Sequence, residues 1–260
     1  MNIFSLGWRN IWRNKRRTAI TIASVLFAVL FAIVMRAFQE GTYSRAIENM
    51  VRMISGHIQV QTQEYWDDQV IDNIFVADPA LVQKITKIPG VEYAFPRLQY
   101  FAFAATDDVT REAIVVGADL ESEEPIAKLG SKFVYGAFPD MADGRSVVIS
   151  EGLARNLGLI FYTDSIVKKE PEEIADTIKK LHVVADSVVL LGQGYHGATA
   201  AGAYQLSGIV KLPIPELNKR VVYMPLSTAQ YFFSVKSMLT SINIQLKDSE
   251  EQFDVLEQLK

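Results

Sequence analysis

The sequence predicts an α+β fold, with an N-terminal transmembrane helix leading into an extracytoplasmic domain of short strands and helices. Three observations predict it. "TAITIASVLFAVLFAIVM", residues 18–35, runs for 18 residues without a charge. At about 1.5 Å per residue such a helix spans roughly 27 Å, close to a bilayer's hydrocarbon core. Behind it, strand-like alternation and short helix signals are mixed with no regular βαβ period. A glycine-rich stretch, "VVLLGQGYHGATAAGAY" at 188–204, carries G-x-G-x-x-G spacing but lacks the crossover helix that a dinucleotide site requires.

The first element is a basic head. Residues 1–17 hold Arg9, Arg13, Lys15, Arg16 and Arg17 and no acid. The remaining 243 residues carry 21 basic and 30 acidic side chains, a balance of −9 within a net charge of −4. An acidic body argues against nucleic acid as a partner, because phosphate binding needs a continuous positive face. Phe4, Trp8, Ile11 and Trp12 fall on one helical face, with Arg9, Arg13 and Arg16 on the other. Residues 1–17 are therefore expected to form a cytoplasmic amphipathic helix lying on the inner leaflet. Trp8, Trp12, Arg9, Arg13, Arg16 and Arg17 would be its interface anchors; the alternative is a plain stop-transfer flank.

Residues 18–38 come next as the transmembrane helix, with Arg36 snorkelling outward as a further anchor. No small-residue cleavage site lies beyond it, which argues against a signal peptide. The five-to-zero basic bias keeps the N-terminus cytoplasmic and puts the chain beyond residue 38 outside. Tyr43, Ile47, Met50, Val51 and Ile54 keep helical spacing, so residues 39–56 read as a stalk that Ser55-Gly56 ends.

Residues 57–260 are the expected α+β domain. "HIQVQ" alternates as a strand, and Asp78-Pro79 starts a helix that Pro89-Gly90 stops. "VEYAFPRLQYFAFAAT" and "REAIVVGAD" read as a strand pair around Asp107-Asp108. "SVVIS" is a strand, after which Ser150 caps a helix to Leu157 and Gly158 closes it. "SVVLL", "YQLSGIV", "RVVYM" and "TSINIQL" are further strands, with a short helix from Ser227. Between them, Pro171 to Leu181 reads as a charged helix, acids first and lysines last. A final helix from near Asp248 has no C-terminal stop, so the sequence is expected to be part of a longer polypeptide.

The glycine loop is not expected to hold a cofactor. Glu216 lies at a suggestive distance, but Ala198 to Ala203 leaves no room for a helix before the next strand. A Walker A reading fails for want of Gly-Lys-Ser/Thr. A tight connection between two strands explains the glycines better. His57, His182 and His196 each stand alone in sequence, and cysteine is absent, so no catalytic or metal-ligating residue is proposed.

"LGWRNIWRNKRRTAITIASVLFAVLF", "SGHIQVQTQEYWDD", "ISEGLARNLGL", "DSVVLLGQGYHGATAAGAYQLSGIVK" and "RVVYMPLSTAQ" together resemble permease subunits of MacB/FtsX-type ABC transporters, closest to the lipoprotein-releasing (Lol-type) branch. The resemblance runs in order across nearly the whole chain. It implies an inner-membrane permease with a MacB-like periplasmic domain and three further membrane helices beyond this sequence. ATP would be bound by a separate cytoplasmic ABC ATPase subunit, with no cofactor and no catalysis in this chain. Further implied partners are a second permease copy or homologue, membrane lipid, a lipoprotein or other hydrophobic cargo, and a periplasmic carrier. Residues 160–185 depart from the family pattern as an insertion. A regulatory permease controlling a cell-wall hydrolase is the alternative function. A single-pass sensor is a third, weakened by a 17-residue head with no room for an output domain.

Overall fold

The computed structural model describes residues 8, 13–51, 55–76, 78–139, 144–167 and 176–259. The chain divides into two compact units, Met1–Glu48 and Asn49–Lys260. The first is dominated by helix α1 (Lys15–Met50). Gly56, at φ +64°, comes after the helix and donates its amide to the Val51 carbonyl at 2.8 Å. A Cβ there would lie 2.6 Å from the Ile244 carbonyl oxygen, so only glycine fits this turn.

The second unit is built on strands. In chain order it begins with β1 (Ile58–Val60), α2 (Gln63–Asp67), β2 (Phe75–Val76) and α3 (Pro79–Thr86). Asp78 caps α3 by accepting the Ala80 amide at 2.9 Å, with Pro79 in the first turn, as the sequence predicts. Next come β3 (Val91–Ala105), β4 (Thr110–Ala118), α4 (Leu120–Ala127), β5 (Phe133–Gly136), β6 (Ser146–Ser150) and α5 (Glu151–Asn156). The chain continues through β7 (Ile160–Val167), β8 (Asp176–Val183), β9 (Ser187–Gln193) and β10 (Thr199–Val210). It closes with β11 (Val221–Pro225), α6 (Leu226–Phe232), β12 (Met238–Leu239), β13 (Ser241–Leu246) and α7 (Gln252–Leu259).

Six of these strands form a closed ring. β3 pairs β4, β4 pairs β11 in parallel, β11 pairs β6, β6 pairs β10 in parallel, β10 pairs β9, and β9 returns to β3. The side-chain period of two then sorts residues into inside and outside. Leu98, Ala102 and Ala104 of β3, Val115 of β4, Leu190 of β9 and Met224 of β11 face inward at 0% exposure. Small alanines on β3, β4 and β10 leave room for Phe233, Leu153 and Leu159, which join the same core from outside the ring. Val116, Ala118, Val148, Val221 and Tyr223 point the other way into a second core, covered by Leu120 and Ala127 of α4. This explains why "AIVV", "VVI" and "VVYM" within these strands read as unbroken apolar runs: both faces there are covered. The first half of β3 instead pairs β13, which pairs β1, and α3 and α7 cover that sheet through Ile85 and Val255.

Two sequence expectations are corrected. The charged segment is not a helix where it is described: Asp176–Val183 is strand β8, paired in register with β7 from Ile160↔Val183 to Val167↔Asp176. Residues 171–175 lie outside the described residues. The segment has a partner of matching length, and inter-strand pairing with neighbours such as Phe161 stacked on His182 at 4.9 Å overrides the favourable helix-dipole charge order. Ser150 stands at the N-cap of α5 but makes no capping bond through its side chain, and its Oγ is buried without a partner. Gly158, at φ +75°, does close that helix.

Candidate functional site

The membrane anchor is defined by composition on every side of α1. Ile22, Leu26, Leu30, Phe31 and Val34 are all about half exposed or more, and the most apolar 18-residue window within Lys15–Arg45 has a mean hydropathy of 2.6 with none of it buried. A helix apolar all round has no aqueous face to offer. Three of its hydroxyls are turned back onto the helix: Thr21 donates to the Arg17 carbonyl at 3.0 Å, Ser24 to Ile20 at 2.8 Å, and Thr42 to Phe38 at 2.9 Å. These three hydroxyl protons are thereby satisfied internally, as a hydrocarbon surrounding demands. Arg13, Arg16 and Arg17 lie ahead of the charge-free run 18–35 and Arg36 directly after it, all four exposed. Trp8 is helical and 67% exposed. Arg9, Ile11, Trp12 and Phe4 lie outside the described residues.

The glycine loop connects β9 to β10 as an antiparallel hairpin, with Gln193 opposite Thr199. The Gly194 amide donates to the Ala198 carbonyl at 2.7 Å and the Ala198 amide to Tyr195 at 3.0 Å. Tyr195 donates to the Phe233 carbonyl at 2.9 Å, and the His196 amide to Asp72 Oδ1 at 2.6 Å. The donors that would cradle a pyrophosphate are therefore spent on the protein itself. Gly197 sits at φ +75°, and a Cβ on Gly194 would lie 2.7 Å from the Phe233 carbonyl oxygen, whereas Gly192 is in an ordinary strand conformation. Two of the three motif glycines thus serve the turn. His196 is less isolated than its sequence neighbours imply, since its Nδ1 lies 3.6 Å from Asp72. Both side chains are open to solvent, which makes the pair a surface tie between this hairpin and the turn at 71–73.

Two buried polar clusters lie elsewhere in the domain. Arg97 on β3 pairs with Glu123 on α4, Nε to Oε1 at 3.1 Å and Nη2 to Oε2. Burial alone would lower the Arg97 pKa, but the charge and hydrogen bonds of Glu123 outweigh it and raise it. Tyr223 beside them is pushed up to about 12, chiefly by burial. At the other cluster Tyr162 of β7 donates to Glu151 of α5 at 2.7 Å, and its pKa also rises to about 12, through burial and then that bond. Each cluster ties a helix to a strand. Among the described residues no three His, Asp or Glu side chains come together as a metal site.

Residues 18–260 match the family model described as the MacB-like periplasmic core domain. The chain belongs to that family. It is thereby a MacB/FtsX-type ABC transporter permease component, anchored in a membrane by its N-terminal apolar helix and carrying an extracytoplasmic MacB-like domain. Solved structures similar to it include the extracellular domain of the noncanonical ABC-type transporter YknZ from Gram-positive bacteria, at 12% identity, TM-score 0.44, and coverage of 75% of this chain and 84% of that one. The periplasmic region of MacB from Actinobacillus actinomycetemcomitans is similar at 12% identity and TM-score 0.46, covering 78% and 81%. A domain of a putative permease protein from Porphyromonas gingivalis is similar at 16% identity and TM-score 0.38, covering 72% and 71%. Comparison with curated proteins gave no match.

Within the MacB-like domain, sequence reasoning missed the Arg97–Glu123 and Asp72–His196 pairs. The partners are 26 and 124 residues apart, and only the closed ring and its covering helix bring them together. The one available signal was an arginine inside an otherwise apolar strand, "YAFPRLQYF", which needs a buried partner.

Proposed function

We propose that the chain is the permease subunit of an inner-membrane ABC transporter that extracts or exports lipoprotein or another hydrophobic substrate. The observation that carries this reading is the family match over residues 18–260 joined to a helix apolar on every face. The basic head keeps the N-terminus cytoplasmic. There Trp8, Trp12 and the flanking arginines seat the first helix against the inner leaflet, beside a separate ATPase subunit that binds the ATP. The permease works with a second copy or homologue and hands cargo to a periplasmic carrier, in the manner of the Lol-type branch its motifs resemble.

The test is release from proteoliposomes holding the whole permease, its ATPase and an acylated reporter lipoprotein. ATP-dependent transfer of the reporter to a soluble carrier is expected. ATP hydrolysis without release, together with ATP-dependent activation of a cell-wall hydrolase, would establish the regulatory alternative instead. In the same assay, replacing both Trp8 and Trp12 with Glu should leave insertion intact but impair release. Each tryptophan forfeits a burial worth a few kcal/mol at about 25 cal/mol per Å². Normal release by that variant would reduce the head to a topology signal.

A further inference from the structure

The ring leaves one outer face bare. Across β4, β11 and β6 the outward residues are covered by α4, but across β3, β9 and β10 nothing among the described residues covers them. Phe101, Phe103, Val189 and Leu191 are 44%, 43%, 39% and 41% exposed, and Ala201 and Ala203 beside them are also exposed. The register makes them neighbours: Phe103 faces Leu191, Leu191 faces Ala201, and Val189 faces Ala203. The two phenylalanine rings meet edge to face at 5.2 Å, a wall beside a floor of alanines. No charged or polar side chain interrupts these six. Glu112, opposite Phe103 at the rim, is held by Arg220 at 3.7 Å.

We propose that this face receives a hydrocarbon chain, namely an acyl chain of the cargo. The proposal rests on the transport reading above and names where in this chain the substrate's apolar part is held. Three features choose this occupant. The patch is about 10 Å across three strands and about 14 Å along them. It exposes on the order of 300 Å² of apolar surface, well short of the roughly 800 Å² per partner that a stable protein interface buries. The strands beneath it are hydrogen-bonded to neighbours within the ring, so no free edge remains there to capture an extended peptide through its backbone. With no charge inside the patch, the matching ligand is uncharged and aliphatic.

The test uses the full chain in lipid nanodiscs and a synthetic triacylated lipopeptide with a photoreactive diazirine in one acyl chain, with adducts mapped by mass spectrometry. Labelling of residues 101–105 and 189–203 is expected, together with α1 as the marker of probe in the bilayer. Excess unlabelled lipopeptide should remove the domain signal. Phe103→Ser with Leu191→Ser should cut that signal at least tenfold while the melting temperature and the α1 signal hold. Val134→Ser, an exposed apolar residue elsewhere, should change nothing. Should the double variant melt early, Ala201→Gln places a polar side chain on the floor and should give the same loss. Labelling of α1 alone would overturn the proposal. So would dimers of an Ala201→Cys variant, its sole cysteine, that form whether or not lipopeptide is present, since a second copy would then own the face. Release in the proteoliposome assay without labelling here defeats this site and leaves the transport reading standing. Labelling here without release does the reverse.

Discussion

Leu30 and Leu98 are the same residue in opposite circumstances. Leu30, on α1, is 49% exposed, and Leu98, inside the ring, is 0% exposed. The ring supplies its own apolar surroundings, and α1 must find them in a bilayer. Exposure of an apolar side chain thus reports which solvent its element was built for. The two regions should accordingly fail in different ways when given the same insult.

The largest effects come from that matched insult. Leu98→Asp buries a carboxylate with no partner, a cost at or above the 4–5 kcal/mol that marks exceptional substitutions. Limited proteolysis should find the domain unfolded while carbonate extraction leaves the chain in the membrane. Leu26→Asp with Leu30→Asp costs about 6 kcal/mol of insertion free energy and should give the converse, an extractable chain with a protease-resistant domain. Retention of both properties in either variant would break the comparison.

Glu123→Ala should cost about 3–5 kcal/mol, because it takes the bidentate carboxylate away from a buried guanidinium. Urea unfolding monitored by near-ultraviolet circular dichroism measures it. A double Arg97→Met, Glu123→Leu variant should recover most of the loss. Next comes alkaline pH. Burial raises the Tyr223 pKa from 10.0 to about 12, so the folded state keeps a proton that the unfolded chain gives up. That contribution is complete below pH 10 and drains away as pH climbs to 12, by about 2–3 kcal/mol. Tyr65 is raised likewise, by burial and then by Tyr100. Unfolding midpoints at pH 9, 10, 11 and 12 should fall, and fall less for Tyr223→Phe. The smallest effects separate the loop glycines. Gly194→Ala must push against the Phe233 carbonyl and should cost about 1–3 kcal/mol, Gly197→Ala about 1 kcal/mol for its left-handed backbone, and Gly192→Ala under about 0.5 kcal/mol. Equal costs at all three would revive a ligand role for the motif.

The features legible in advance rest on local chemistry. An Asp-Pro helix start, alternation along β1, and a charge-free run of 18 residues each carry their meaning within a few positions. Failures came where a partner decides. Lysines after acids favour a helix from Pro171, yet β7 offers a strand of matching length and the described part pairs with it. Ser150 has the right identity for a cap and forms none. The ring's closure through β3 and β9 rests on only three residue pairs, from Phe103↔Leu191 to Ala105↔Val189, too few to leave a pattern in either strand. The bare face left no mark of its own, since a sequence does not say which outer face a helix will cover.

The pairing of β1 with β13 has a consequence in time. Gln59 donates to Asn243, 184 residues away, and Ile58 lies opposite Ile244. At a synthesis rate of about 5–20 residues per second, β1 waits roughly 10–40 s for its partner to exist. Throughout that interval its row of amides and carbonyls is an unclaimed edge, and the cluster of Ile58, Ile242 and Ile244 is half built. Contacts so remote in sequence also slow folding once the chain is whole. The segment beside the anchor is made among the first and is secured among the last, which makes it the place where a holdase or a protease would find this chain.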